Sequence, residues 1–544
     1  MSPALDGSRT YNHDYRPLRL VYVNRNSEQE REVKIANPLQ TPNRVARSRI
    51  LMMTEAAKTE SSSGLQSREN EEDAPVYCAL SEREKIGSII VASMISFLSP
   101  VSGNIYYPAI DALSRDLHAS RNTIYLTITV YMIVQAFVPL LTASFSDQNG
   151  RRPIFITCLA VYICVNIGLC LQNSVPALFA LRCLQSVGSS GVSIVATATI
   201  TDLITRAERG KYMVYASLGL TLGPAVGPLL GGVLTQFLGW RSIFIFLAIV
   251  AAVLIVLVMA FLPETCRATV GNGSIPAPWW NQSGLQWLRQ SSSAHRKTAE
   301  DHRTLLTFRR RPSLWDSIRI IRQKSTGLLI LASTMLSCGS VLVLASIPPL
   351  FEAHYHFNAL EVGLCYIPYG VGGLTARWTM GTLADRNYNR CGRQEGITIV
   401  RNQQTSEQLR AMPLERARLQ LALPMLYVSG VLVLVYGWIM QERVHVAGPL
   451  ILLFLLGNVI TGTRNGLVML IIDLHAQRPA TASASLGFFR SLTGAGVVAG
   501  VVPLIQAIGV GYSATLVAAV WLIVSPALYV VYRHGHDWRQ KGHS

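Results

Sequence analysis

Twelve windows of this chain are long and apolar enough to cross a lipid bilayer, and nothing else in the sequence restricts its fold as tightly. A spanning helix needs about 20 mostly apolar residues. The first six windows lie near 86–108, 122–145, 153–172, 176–203, 212–236 and 241–262. The second six lie near 326–350, 360–383, 420–440, 447–472, 480–508 and 511–532. Of the 544 residues 50% are hydrophobic and 15% are charged. That is too apolar for a soluble protein and too charged for membrane alone, so the charge must collect in loops and tails. Residues 1–84 read as a disordered cytoplasmic tail, mixed in charge and rich in Ser, Glu and Asn. Met52 and Met53 within it offer alternative starts. The domains that follow are a first half at 85–262, a central loop at 263–325, a second half at 326–532 and a tail at 533–544. The second half contains a polar loop at 384–419.

The net charge of +17 lies beyond residues 1–83, which hold 12 Lys or Arg and 12 Asp or Glu. One set of loops holds Arg151 and Arg152, then Arg206, Arg209 and Lys211, the 263–325 loop with Arg309, Arg310 and Arg311, the 384–419 loop and the last tail. The other set is short and poor in Lys and Arg; Glu352, His354, His356 and Glu361 belong to it. Basic loops stay in the cytosol, so both termini are expected there. This basic surplus reads as topology rather than nucleic-acid binding. The sequons at Asn272 and Asn281 then face the cytosol, and no glycosylation is expected. In the central loop, Ser313 to Asp316 reads as a capping box opening a short amphipathic helix. Trp279, Trp280 and Trp287 suit a membrane surface. The nine cysteines have no metal-type spacing, so neither disulfides nor a metal site is expected.

The fifth window reads LGLTLGPAVGPLLGG, with Gly219, Gly223, Gly227 and Gly231 at every fourth position and Pro224, Pro228 and Gly232 beside them. That spacing puts a bare stripe on one helix face, against which another helix can approach closely. Two prolines free carbonyls that neighbours must satisfy. Such a helix suits bending and sealing; plain packing is the alternative. The halves also echo each other: SFSDQNGRRP at 144–153 follows the second window and GTLADRNYNR at 381–390 follows the eighth. This is the weak symmetry of parallel repeats. The expected fold class is an all-α membrane protein with twelve transmembrane helices in two pseudo-symmetric six-helix halves.

From about 85 to 540 the chain resembles the major facilitator superfamily, and within it the fungal twelve-span drug:proton antiporters, in the branch of quinidine-resistance-type and citrate exporters. DQNGRRP from Asp147, LRCLQSVGSSG from Leu181, the glycine ladder and PATASASLGFFRSLTGAG from Pro479 carry the resemblance. It implies the major facilitator fold and assigns Asp147, Gly150, Arg151 and Arg152 to the loop 2–3 signature. It also places Arg182 at the span 4 arginine tied to proton coupling or pocket polarity. Ala143 stands where the family usually has Gly, and Leu486 and Gly487 replace two amides in span 11. Arg464 has no counterpart in the family pattern.

A charge inside a span costs about 2.5–3.5 kcal/mol or more, so each one marks a functional candidate. Four arginines qualify: Arg182, Arg377, Arg464 and Arg490. Arg464 lies about 13 Å from Asp473 along a helix. The three arginines of the second half can share one depth. The alternative reading pairs Arg377 and Arg490 with Asp385 and Asp473 in a cytoplasmic gate. Arginine's planar fork suits a carboxylate or phosphate. No Asp or Glu lies deep in a span, which disfavours a permanently cationic cargo and leaves the proton carrier among Asp202, Asp473, Glu361, His356 or the substrate itself. Asn104, Tyr106, Tyr107, Tyr131, Gln135, Gln185, Tyr366 and Tyr369 are further pocket candidates, each with packing as its alternative.

Asp147 can pair with Arg151 and Arg152, or these with Asp202, forming a gate that locks one side closed. The function read from the sequence is a secondary active transporter, exporting small organic molecules against protons by alternating access. The cargo is a xenobiotic, a secondary metabolite or an organic acid. The alternative is a facilitator or importer of the same fold; a non-transporting sensor is a third class. No enzyme motif, nucleotide site, cofactor or nucleic-acid partner is expected. The expected partners are a small-molecule substrate, protons and the lipid membrane, with the chain a monomer. The plasma membrane is the expected address and the vacuolar membrane the alternative.

Overall fold

The computed structural model describes residues 78, 80–204, 209–271, 275, 277–278, 281–284, 322–394, 412–442, 444–475 and 479–541. The expectations for the first tail, for Asn272, for the three loop tryptophans and for the Ser313–Asp316 helix start fall outside the described residues. No strand occurs among the described residues. The first half holds α1 (Glu82–Asn104), α2 (Arg121–Asn149), α3 (Arg151–Leu171), α4 (Val175–Leu203), α5 (Arg209–Leu238) and α6 (Arg241–Phe261). The second half holds α7 (Lys324–Tyr355), α8 (Tyr366–Gln394), α9 (Leu414–Gln441) and α10 (Ala447–Leu474). The long element Pro479–Lys541 breaks at Gly509, φ 80°, into α11 (479–508) and α12 (510–541). Short helical turns at Tyr107–Ala109, Ile110–Asp116 and Ala359–Leu364 fill the links at one end of the bundle.

Local chemistry starts these helices where the sequence allows. Ser81 caps α1, and Glu84 reaches back to the Ser81 amide in a capping box. The Ser120 hydroxyl accepts from the Thr123 amide at 3.1 Å at the start of α2. Ten helices among the described residues are long and apolar enough to span a membrane, the last of them holding both α11 and α12. The twelfth, α8, falls short on composition because its second half carries Arg377, Asp385, Arg386, Arg390 and Arg393. The segment read as a 384–419 loop is helical at both ends: α8 continues to Gln394 and α9 begins at Leu414. Asn387 donates to the Ala417 carbonyl at 2.7 Å, which fastens the two helices there.

The α5 ladder packs within its own half. A Cβ on Gly219 would stand 3.0 Å from the Phe97 backbone, one on Gly223 would overlap Pro100, and one on Gly231 would overlap the Ile105 carbonyl. Gly227 sits against Val101 and Asn104. The bare stripe therefore closes on α1. A second stripe of α5 makes the contact with the other half: Gly232 lies against Ala359 and Gly363, Ala225 against Gly370, and Thr221 near Gly373. The α2–α11 contact is the other seam, with Met132 against Gly494 and Phe137 edge-on to Phe488, ring centroids 5.2 Å apart. Among the described residues the seams of the first half run along α2 and α5, an arrangement that permits rocking about them.

Candidate functional site

In the first half, α4 carries Arg182 to a fully buried position. Its guanidinium lies over the Tyr106 ring at 4.1 Å and the Tyr131 ring at 4.8 Å. One nitrogen donates to Gln185 at 2.6 Å, and Gln185 donates to Asn166 at 2.7 Å. The remaining two nitrogens have no hydrogen-bond partner. Tyr131 pairs with Ser189 at 2.6 Å, and Tyr162 donates to Ser102 at 2.8 Å. Four elements of one half thus hold a single cation by aromatic faces and amides, with no carboxylate among the described residues beside it.

The second half is arranged differently. Arg464 of α10 and Arg490 of α11 lie near enough for their charges to repel, and Arg464 also lies near Tyr369 of α8. Tyr369 bonds Ser340 of α7 at 2.5 Å. The Arg490 side chain is exposed. Neither guanidinium makes a hydrogen bond or ion pair among the described residues. Two neighbouring cations without an acidic partner among the described residues are a candidate site for an anion with at least two acceptor oxygens.

The two ends of the bundle also differ. At the end carrying Arg151, the Arg151 side chain meets Asp147 at 2.6 Å, Asp202 at 3.0 Å and Ser146 at 2.9 Å. Gly150 turns the chain at φ 101°, and a Cβ there would stand 2.5 Å from a Glu264 oxygen. Glu264 accepts from the amides of Arg151 and Arg152 at 2.9 and 3.2 Å, and from Asn281 at 2.7 Å. It therefore caps the positive start of α3 and leaves Asn281 fully buried. In the second half Asp473 pairs with Arg418 at 3.4 Å. His475, just past α10, faces Gln323 at 2.9 Å, and burial holds its imidazole below the ordinary histidine range. Each ion pair between described residues at this end stays within one half.

At the opposite end the halves are joined. Arg121 of α2 reaches Asp111 at 2.6 Å and, across the seam, Glu352 of α7 at 3.3 Å. Tyr107 stacks on Tyr366 at 6.2 Å, and Tyr125 donates to the Ala345 carbonyl at 2.8 Å. This end is sealed.

Several expectations change. Arg377 donates to Thr221 of α5 at 3.1 Å, and Asp385 is exposed, with no partner among the described residues. Arg490 leaves Asp473 to Arg418. Neither Arg377–Asp385 nor Arg490–Asp473 is paired in this structure: Asp385 lies eight residues further along α8 than Arg377, and Arg418 takes Asp473. Tyr366 belongs to the seal, donating to the Leu344 carbonyl at 2.8 Å. Asn104 donates to the Pro100 carbonyl at 2.7 Å within its own helix. Gln135 is half-buried without a partner among the described residues. Glu361 answers the Asn358 amide in a capping box, and His356 ends α7 at φ 58°. The sequence reading missed Glu264, Arg418 and the Arg121–Glu352 pair. The last was legible as opposite charges at the starts and ends of windows on the same side.

Comparison with known proteins agrees with this architecture. The family model for the Major Facilitator Superfamily matches residues 92–501. The chain belongs to the major facilitator superfamily. An MFS-type transporter R5 from a Phoma species is 41% identical over 86% of this chain and 88% of its own length. Citrate exporter 1 of Aspergillus niger is 31% identical over 86% of this chain and 89% of its own. A D-xylose–proton symporter of known structure superposes with a TM-score of 0.57 at 15% identity, covering 82% of this chain and 98% of the symporter. This superfamily member is accordingly a multi-pass membrane protein and a secondary transporter of a small molecule.

Proposed function

We propose that this transporter exports small organic acids in exchange for protons. The pair of cations at Arg464 and Arg490, without an acidic partner among the described residues, carries the reading. A cationic drug placed there would meet repulsion and no carboxylate. A carboxylate or dicarboxylate would replace lost hydration with charge-assisted hydrogen bonds. Tyr369 and Ser340 add neutral polar contacts beside Arg464. The similarity to a citrate exporter of Aspergillus niger supports the same chemistry. Among acids, the cargo is a self-made metabolite or a toxic compound bearing one.

The basic loops place the Arg151 end in the cytosol, with both termini there. On that placement the sealed end is the outer one, and the cavity holding Arg490 opens inward to receive cargo. Outward opening must break the Arg121–Glu352 pair and the Tyr107–Tyr366 stack and close the Arg151 end. Arg182 stays fixed within its half and supplies the field that keeps the cavity positive. The chain acts as a monomer in the plasma membrane, with the vacuolar membrane the other candidate.

The test uses inside-out vesicles loaded acid inside. Gradient-dependent uptake of citrate or succinate is expected in the wild type and a loss of it in Arg464→Ala. Uptake of cationic drugs with no effect of Arg464→Ala would sink the acid reading. Acid uptake that ignores the proton gradient would favour a facilitator of the same fold.

A further inference from the structure

The halves treat corresponding crevices in opposite ways. In the first half α5 closes on α1 through its glycine stripe. In the second half α11 and α7 occupy the matching positions; they touch at Gly494 and Val341, but further along α11 part of its glycine face stays open. Gly496 and Gly500 of α11 face open space, with no atom within 4 Å of an added Cβ. Together with α12 these helices bound an apolar groove of about 450 Å³. Trp521 forms its floor, seated on Gly339 and donating to the Met335 carbonyl at 2.9 Å. Leu342, Val497 and Leu504 line its length, and Cys338 and Thr493 mark one end.

That end is where the cation site begins. Thr493 is the first groove residue on α11, and Arg490 stands one turn before it on nearly the same helix face. From Arg490 to Leu504 the helix runs about 21 Å. A cation without an acidic partner at the mouth and hydrocarbon along the rest is the complement of an amphipathic acid. We propose that this groove receives the alkyl tail of the transported acid while Arg490 and Arg464 hold its carboxylates. The inference rests on the acid reading above and adds the tail to it. The cargo class becomes alkyl-substituted di- or tricarboxylic acids, with short acids as weak analogues.

The experiment is counterflow of radiolabelled succinate in liposomes holding the full-length protein, competed by unlabelled succinate, butylsuccinate and octylsuccinate. In the wild type octylsuccinate should compete at least about tenfold better than succinate, equivalent to two methylenes leaving water at about 0.8 kcal/mol each. Gly500→Phe and Gly496→Leu, which fill open space, should erase that gain and leave competition by succinate itself unchanged. A gain that survives both substitutions comes from partition into the bilayer and overturns the tail site. So does a wild type that shows no gain. Succinate counterflow unaffected by Arg464→Ala and Arg490→Ala marks failure of the acid reading instead, because the short acid does not use the groove. Should both glycine variants fail to fold, alkylation of Cys338 in the wild type decides: octylsuccinate should protect that thiol and succinate should not. Equal labelling with both would overturn the proposal.

Discussion

Arg182 and the Arg464–Arg490 pair pose the same electrostatic problem, a cation inside a membrane protein, and the two halves solve it differently. Arg182 lies about 10 Å from the start of α4, fully buried between two tyrosine rings and tied to an amide relay. Arg464 lies about 25 Å from the start of the corresponding helix α10, half-buried, beside a second cation that solvent reaches. The first arrangement fixes its cation with two rings and one amide, and two of its buried nitrogens have no hydrogen-bond partner. The second leaves its donors unspent. Burial alone therefore does not mark a ligand site; an uncompensated charge that water can still reach does.

Substitution in the two centres should separate them most strongly. Each charge-assisted hydrogen bond lost costs about 1.5–3 kcal/mol, so Arg464→Ala or Arg490→Ala should lower acid transport roughly 10- to 100-fold. Removing one member also relieves repulsion between the pair, so folding stability should hold or rise. A saturating acid should stabilise the wild type by about 2.7 kcal/mol at a hundredfold excess over Kd, and that gain should vanish in both variants. Arg182→Met should do the reverse. It leaves the buried Gln185 amide oxygen without its donor, at about 1–3 kcal/mol of stability, while the ligand-induced gain persists. Melting curves with and without citrate check both halves of the contrast. If Arg182→Met abolishes the ligand gain, the two centres are one site.

The fold was legible because a bilayer imposes a length and a composition on each span. The ladder at Gly219–Gly231 announced a close helix approach, and the partner proved to be α1 of the same half. The stripe that faces the other half, Gly232, Ala225 and Thr221, was hidden among ordinary small residues. The α8 helix was harder to bound, because its polar second half looks like a loop while Asn387 fastens it to α9. For the site, residue type and span position found all four arginines, yet could not pair them. Pairing depends on helix rotation and tilt, which seams and caps set. Glu264 stayed unseen for the same reason: its partners, the amides at Arg151 and Arg152, lie more than a hundred residues away.

The Arg151 end permits a finer comparison, between two acids on one arginine. Asp202 is largely buried and holds Arg151 at 3.0 Å, whereas Asp147 is about half exposed at 2.6 Å. Solvent screens the exposed pair, which is worth up to about 1 kcal/mol, and the buried one more. Asp202→Asn should thus slow transport more than Asp147→Asn, with the latter limited to a few-fold and neither altering membrane insertion. Initial uptake rates normalised to the amount inserted give the ranking. A larger effect for Asp147 would mean that it meets the other half when that end closes.

The smallest effect is expected at the sealed end. Glu352 is the acid across the seam from Arg121, but Arg121 also keeps Asp111 at 2.6 Å. Arg121 is substantially exposed, so its pair with Glu352 contributes on the order of 1 kcal/mol. Glu352→Gln should then shift the balance toward the state open at that end by about fivefold at most. Distances between spin labels placed on α2 and α7 near that end would show the new population. The Tyr107–Tyr366 stack and the Tyr125 bond to the Ala345 carbonyl remain in this variant. A population that does not move would therefore assign the seal to those aromatic contacts. A complete shift would make the single ion pair the latch, and would place the energy of closure in charge rather than in packing.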